Sequence, residues 1–237
     1  MRKFTPHLNW LRDETRVFNV GERRRIAEHS RSNGSKTGNH EYSSAAFFNP
    51  TNPDLVSIRD QLALETLNEL LAWRDTRNGS RIGIPDATNS TPQRRKRVLD
   101  HIRAITGTLD GVLFLESCCY DHDILERNFR LKLDGPDYRT QDPEIALQDL
   151  RRRVAFYETS YVALGAAEEQ QKIPFLQVID VGRKINTHLI QEFHSKQVVE
   201  YMLNFNLSER QIWIFCGGES VDDSVGRTGW SSPLTNS

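Results

Sequence analysis

An α/β fold, built on a mostly parallel sheet with flanking helices, is predicted by three features of the sequence. Short apolar runs alternate with longer segments of helical spacing along most of the chain, the pattern of successive βαβ units. Helix starts are marked by a polar cap followed by proline, at Asn52-Pro53, Thr91-Pro92 and Asp142-Pro143. The stretch Arg81 to Arg97, RIGIPDATNSTPQRRKR, places a strand, a tight polar turn and a helix start side by side. In open α/β folds that junction, beyond the carboxyl end of a strand, is where ligands bind.

The elements follow in order. Lys3 to Asp13, with Phe4, Leu8 and Leu11 at helical spacing, reads as the tail of an amphipathic helix. Thr15 to Val20 (TRVFNV) reads as a strand, and Gly21 turns the chain into the basic group Arg23, Arg24, Arg25. Ser30 to Ser44 is polar and rich in Gly and Ser, hence a surface loop, with Phe47 and Phe48 docking its far end. Asn52, Pro53 and Asp54 open a helix to about Asp75 that buries Leu55, Ile58, Leu62, Leu67, Leu70 and Leu71 and carries Arg59 near its start.

Ile82 to Ile84 is a buried strand ending in Asp86, and Ser90 or Thr91 then caps a helix with Pro92 in its first position. Val112 to Glu116 is a further strand leading into Ser117, Cys118 and Cys119. Asp121 caps a helix with Arg127, Arg130 and Lys132, which Gly135 and Pro136 end. The helix opened by Asp142, Pro143 and Glu144 carries Arg151, Arg152, Arg153 and Tyr157; Arg153 and Tyr157 share a face at i,i+4. Phe175 to Val181 reads as a strand, Asn186 to Met202 as a helix and Ile212 to Cys216 as the last strand. After Gly217 the residues are small and polar, with too little apolar content for a second domain.

Composition narrows the function classes. With 237 residues the chain can bury an ample core, and a formal net charge of −1 gives no global field for nucleic acid or membrane. Anion recognition, if present, is local. The three cysteines include an adjacent pair and no C-x-x-C, so reduced thiols are expected rather than a disulfide framework or a zinc site. No run has signal-peptide character or the length to span a bilayer, and a cytoplasmic location is expected.

Local charge is the informative feature. Gln93 is followed by Arg94, Arg95, Lys96 and Arg97 at the start of a helix, where cations oppose the macrodipole by a few tenths of a kcal/mol each. Arg24 and Arg59 repeat the arrangement, which becomes reasonable if an anion sits there. A strand ending in aspartate with a hydroxyl two residues on is also the pattern of the carboxylate that holds magnesium or takes a proton in phosphoryl transfer. Read alone, Asp86 is better taken as an ordinary strand-end residue capping its own turn.

Eight stretches in register carry a resemblance. They are LNW at Leu8 to Trp10, VFNVGERRR at Val17 to Arg25, IRDQLAL at Ile58 to Leu64, DATNSTPQRR at Asp86 to Arg95, ESCCYD at Glu116 to Asp121, KLDGPDY at Lys132 to Tyr138, RRRVAFYETSY at Arg151 to Tyr161 and VIDVGRK at Val178 to Lys184. Together they resemble the kinase half of the 6-phosphofructo-2-kinase/fructose-2,6-bisphosphatase family. The resemblance implies a P-loop-kinase-like fold, with Mg-ATP phosphorylating fructose 6-phosphate at its 2-hydroxyl.

Carried over by motif, Asp86 resembles the catalytic aspartate, with contacts to magnesium and nucleotide. Thr88 and Arg94 resemble sugar-phosphate contacts, Arg24 and Arg59 hold the substrate phosphate, and Arg153 and Tyr157 supply the last sugar contacts. Lys132 resembles the lysine that reaches both nucleotide and sugar phosphates, and Cys119 takes the active-site cysteine position of ESxC. For Cys119 a small buried residue at a strand end, and for Tyr157 a core aromatic, are equal readings.

The sequence also departs from the family. The string G-x-x-x-x-G-K-[ST] is absent. The expectation is a kinase domain over residues 1–210 lacking its first strand and phosphate-binding loop, with little or no kinase activity as it stands. Residues 211–237 read as a degenerate start of the bisphosphatase domain, because IWIFC is followed by Gly217, Gly218, Glu219 and Ser220 rather than Arg-His-Gly-Glu, and no phosphatase activity is expected. Pro85, just before the aspartate, is a further departure. The alternative is a kinase-dead relative that binds the sugar phosphate or a partner chain, and a homodimer is left open. A nucleic-acid module using QRRKR and RRR is disfavoured by the balanced charge and the lack of a reading motif.

Overall fold

In the computed structural model, which describes residues 14–32, 44–75 and 81–204, strand β1 (Glu14–Asn19) runs without a break into helix α1 (Val20–Ser32). A short 3-10 turn at Ala45–Phe48 precedes helix α2 (Pro53–Asp75), whose first N–H groups, those of Asp54 and Leu55, donate to the side chain of Asn52. Strand β2 (Arg81–Asp86) leads into helix α3 (Pro92–Thr106), capped by Thr91 and closed by Gly107 in the left-handed conformation at φ 76°. Strand β3 (Phe114–Cys118) is followed by helices α4 (His122–Leu133), α5 (Pro143–Glu158) and α6 (Ala166–Gln170), then strands β4 (Phe175–Ile179) and β5 (Lys184–His188) and helix α7 (Phe193–Asn204).

The chain divides into two units, Met1–Phe205 and Asn206–Ser237. The second lies outside the described residues, and with it the strand expected at 212–216 and the tail. The helical reading of residues 3–13 and most of the Gly/Ser-rich loop lie outside them too.

Strands pair in two ladders among the described residues. β1 and β2 are parallel, with Phe18 opposite Pro85 and Asn19 opposite Asp86. β3 and β4 are parallel and β4 and β5 antiparallel. Because β2 bonds to β1 alone among these strands, Pro85 interrupts no second ladder and is tolerated there.

Two expectations need correction. The apolar run after Gly111 enters the sheet at Phe114 rather than Val112, so Ser117 and Cys118 belong to the strand and Cys119 is the first residue beyond it. The helix expected from Asn186 starts instead at Phe193, because residues 184–188 form the antiparallel strand β5. Three successive residues in the left-handed region, Asp180 (φ 46°), Val181 (φ 59°) and Gly182 (φ 96°), reverse the chain so that Ile185 pairs with Val178. Helical spacing in this stretch could not reveal a reversal made by a valine that rarely adopts such a φ.

The core sits between these layers. Phe18 of β1 packs with Leu67, Leu70 and Leu71 of α2 and Val98 and Ile102 of α3, with the Trp73 ring tilted against Phe18 at 5.6 Å. Leu176, Val178 and Val198 gather Leu115 and Ile185, and also Ile82 of β2, so side chains join the two ladders. β2 approaches α2 closely at Gly83, where an added Cβ would lie 2.6 Å from Leu70 Cγ. Gly83→Ala should therefore destabilise the fold by about 1–3 kcal/mol through overpacking, read as a lower midpoint in urea with an unchanged slope.

Candidate functional site

The first turns of α1 bring Arg23 to Arg25 to the end of β1, and the chain places Arg24 almost completely inside, 3% exposed. Its guanidinium Nη2 donates to Asp137 Oδ2 at 2.6 Å, while Arg25 Nη1 donates to Oδ1 at 3.2 Å. Arg153 of α5 donates to the same Asp137 Oδ2 at 3.1 Å. The Phe48 ring lies 3.7 Å from the Arg153 guanidinium carbon and 5.3 Å from that of Arg24, cation–π contacts that help hold both cations.

Asp137 itself is pulled two ways. Burial pushes its carboxyl pKa up, but Arg24 and Arg153 outweigh that and hold it below the usual carboxylate range. Burial lowers Arg24, with Asp137 working against the shift; arginine nevertheless remains charged. For Arg153 burial is outweighed by Tyr157, Tyr138 and Asp137, and its pKa rises.

A second carboxylate, Asp60 on α2, receives Arg94 and Arg97 from the opening of α3. Arg94 also donates to the Arg59 carbonyl at 3.2 Å, and the Arg59 guanidinium is held by the carbonyls of Phe47 and Asn49. Burial lowers the pKa of both Arg59 and Arg94. Tyr157, one turn after Arg153, packs on Phe48 with ring centroids 5.6 Å apart.

Asp86 ends β2 opposite Asn19, whose side-chain amide donates to Asp86 Oδ2 at 2.6 Å; parallel pairing thus fixes the carboxylate. The loop beyond it, with Thr88 and Asn89 (φ 41°), is clamped from outside. Val162 N–H donates to the Ser90 carbonyl at 2.9 Å, and Arg95 Nη1 donates to the carbonyls of Asn89 and Val162. Arg95 in turn is paired at 2.7 Å with Glu168, both side chains 4% exposed. The segment supplying Val162 is itself tied to the middle of β3, where Glu116 accepts from Tyr161 Oη and from Leu164 N–H.

These groups enclose one cavity of about 600 Å³, within the range that takes a small-molecule ligand. Arg24, Arg59, Asp86, Thr88, Arg94, Lys132, Arg153 and Tyr157 all line it. Cys119 does not: it sits in the loop between β3 and α4, where its Sγ donates to the Asp121 carbonyl at 3.7 Å. Six cationic side chains face the cavity against three carboxylates, Asp60, Asp86 and Asp137. Arg94 Nε and Asn89 Oδ1 are buried without a hydrogen-bond partner, so one donor and one acceptor of cavity-lining residues are left unmatched. Among the described residues no group of three or more His, Cys, Asp or Glu side chains could hold a metal ion.

Sequence reasoning missed Asp137, Asp60 and Phe48. The signal was inside the quoted motifs, since guanidinium groups brought together need counter-charges and both PDY and IRDQ contain one.

Two outcomes follow from this geometry. Glu168→Ala leaves Arg95 a buried charge without its carboxylate and should cost about 3–5 kcal/mol in chemical denaturation. Because the Asp137 pKa is depressed by folding, its stabilisation is complete above the ordinary value of about 3.9 and is lost as pH falls through the lower folded-state value. Denaturation midpoints should accordingly hold steady from neutral pH to about 5 as far as this group is concerned, and fall below about 4.

Comparison with known proteins gives a consistent picture. The sequence profile of the family described as 6-phosphofructo-2-kinase matches residues 1–209. The Schizosaccharomyces pombe protein named "Probable 6-phosphofructo-2-kinase" is 40% identical over 235 residues, covering 99% of this chain and 33% of that protein. The Saccharomyces cerevisiae protein named "6-phosphofructo-2-kinase 1" is 43% identical over 98% of this chain and 27% of its own length. The Homo sapiens "6-phosphofructo-2-kinase/fructose-2,6-bisphosphatase 3" is 31% identical over 99% of this chain and 42% of its own. The chain therefore spans well under half the length of these relatives. No helix among the described residues is long and apolar enough to cross a membrane.

Proposed function

Since the chain belongs to the 6-phosphofructo-2-kinase family, we propose that its cavity binds fructose 6-phosphate and presents the sugar's 2-hydroxyl for phosphorylation by Mg-ATP. The observation that carries this reading is the convergence of Arg24, Arg59, Arg94 and Arg153, from four distant parts of the sequence, on one cavity beside Asp86. A phosphomonoester carries two negative charges and several acceptor oxygens, and planar guanidinium forks bind it in a fixed orientation. With the phosphate anchored by Arg24, Arg59, Arg94 and Arg153, Tyr157 and Thr88 are placed to meet the sugar.

Asp86 is the residue for the proton or the metal. Held by Asn19 through one oxygen, it takes the proton of the attacking hydroxyl or serves as a magnesium ligand. A single protein carboxylate suits magnesium, which keeps several waters and takes phosphate oxygens as its other ligands. Bound magnesium would neutralise charge on the transferring phosphoryl oxygens. Lys132, in the last turn of α4 and in the cavity wall, supplies a compact cation on a flexible stem between the two phosphates.

Transfer is a matter of alignment and charge stabilisation, and each missing preorganised donor typically costs ~10²-fold or more. Residues 1–237 contain no G-x-x-x-x-G-K-[ST] string. A polypeptide of these residues alone should therefore bind the sugar phosphate yet turn over far below ordinary kinase rates.

Calorimetry with fructose 6-phosphate is the direct test. Saturable binding that weakens by tenfold or more in Arg153→Ala, about 1.5–3 kcal/mol for a lost charged contact, supports the site. An absence of binding overturns it. A transfer assay on the same polypeptide, run with Mg-ATP, should show only residual turnover, and a normal kinase rate would contradict that part of the reading.

A further inference from the structure

A carboxylate is electrostatically out of place in a pocket meant for a phosphate, yet Asp137 lies in the cavity wall with its side chain only 10% exposed. Its two oxygens collect three guanidinium groups from two helices: Arg25 takes Oδ1, while Arg24 and Arg153 share Oδ2. Charge alone says that this group repels the ligand. Geometry says something different.

Arg24, Arg25 and Arg153 carry like charges, and each presence lowers the preference of the others for the same place. A fixed anion between them removes that repulsion and sets each planar group at a defined angle. Asp137 is itself fixed from behind. Its carbonyl accepts from Gln141 Nε2 at 2.9 Å, and the next residue, Tyr138, is 1% exposed with its hydroxyl on Asp149. Asp149 also accepts the Ala45 N–H at 2.8 Å, which ties the same anchor to the 3-10 turn that carries Phe48.

We propose that Asp137 is a positioning residue of the sugar-phosphate site: it stands as a built-in anion that sets the planes of Arg24, Arg25 and Arg153, so that a phosphomonoester meets donors already in place. This deepens the function proposed above and rests on it for the identity of the sugar. The idea separates two roles of opposite sign. If Asp137 merely competes with the ligand, its neutralisation tightens every anion. If it positions, neutralisation weakens the ligand whose orientation matters and spares the one whose orientation does not.

The test compares the wild-type chain with Asp137→Asn and Asp137→Glu, titrated by calorimetry with fructose 6-phosphate and separately with inorganic phosphate. Thermal unfolding is recorded for each variant. Asp137→Asn should bind fructose 6-phosphate about tenfold more weakly while binding inorganic phosphate at least as well as the wild type. Asp137→Glu keeps the charge but moves it by one methylene, and it too should weaken the sugar phosphate. Sugar-phosphate affinity that rises or stays level in Asp137→Asn overturns the proposal.

A ligand-free readout keeps this apart from the choice of sugar. Arginine Nε–H resonances ordered in the wild type should be lost or broadened in Asp137→Asn, and shifted in Asp137→Glu should the first variant fail to fold. Their loss without any fructose 6-phosphate binding by the wild type would leave the positioning role standing and discard the sugar. Their persistence would discard the positioning role whatever the sugar does.

Discussion

Collecting guanidinium groups in a half-closed cavity is a problem of repulsion before it is a means of recognition. Two unit charges 4 Å apart repel by about 4 kcal/mol at an effective dielectric constant near 20, and this cavity has six cationic side chains on its wall. Asp137 and Asp60 ease the conflict: Asp137 takes Arg24, Arg25 and Arg153, and Asp60 takes Arg94 of the wall together with Arg97 outside it. Each sits where it can serve two distant segments: Asp137 joins α1 to α5, and Asp60 on α2 meets the start of α3. A net excess of cations survives, and it is that excess which an anionic ligand would satisfy.

The supports behind the site are apolar and backbone in character. Phe48 lies against Arg24, Arg153 and Tyr157 at once, and it is held by a 3-10 turn whose Phe47 carbonyl also orients Arg59. On the other side, the Asp86 loop depends on Arg95 and Val162, and through Leu164 and Tyr161 the same short segment depends on Glu116. Burial pushes the Tyr161 hydroxyl pKa up, and its bond to Glu116 adds to the rise, so the phenol stays a donor to that carboxylate. The loop after β2 and the middle of β3 are thus joined by a connection that also continues α5, the helix of Arg153 and Tyr157.

Much of this was legible in the residues. Capped helix starts at Asn52, Thr91 and Asp142 are local chemistry, and each side chain accepts the N–H groups expected of it. Cations set against the macrodipole at Arg24 and Arg94 pointed to a shared anion site, because a local cost needs a non-local reason. Two kinds of feature were hidden. The reversal at Asp180 to Gly182 depends on backbone torsions that composition does not announce, so the helix expected from Asn186 overruns the last residues of β5. The roles of Asp137 and Phe48 depend on contacts across the fold: the PDY motif offers a counter-charge, but only the fold shows which arginines it serves and which ring lies against them. Cys119 shows the converse: its motif position is conspicuous, but the strand ends one residue earlier and leaves it in the loop before α4, away from the cavity wall.

The contact between Arg24 and Asp137 spans 113 positions of sequence. A partly assembled chain, with α1 formed but α5 not yet docked, has no anchored guanidinium cluster to offer, since loop closure over such a distance precedes any reward from the contact. The converged cationic wall therefore exists only once both segments are in place, and a partly assembled chain presents no such surface to an anion.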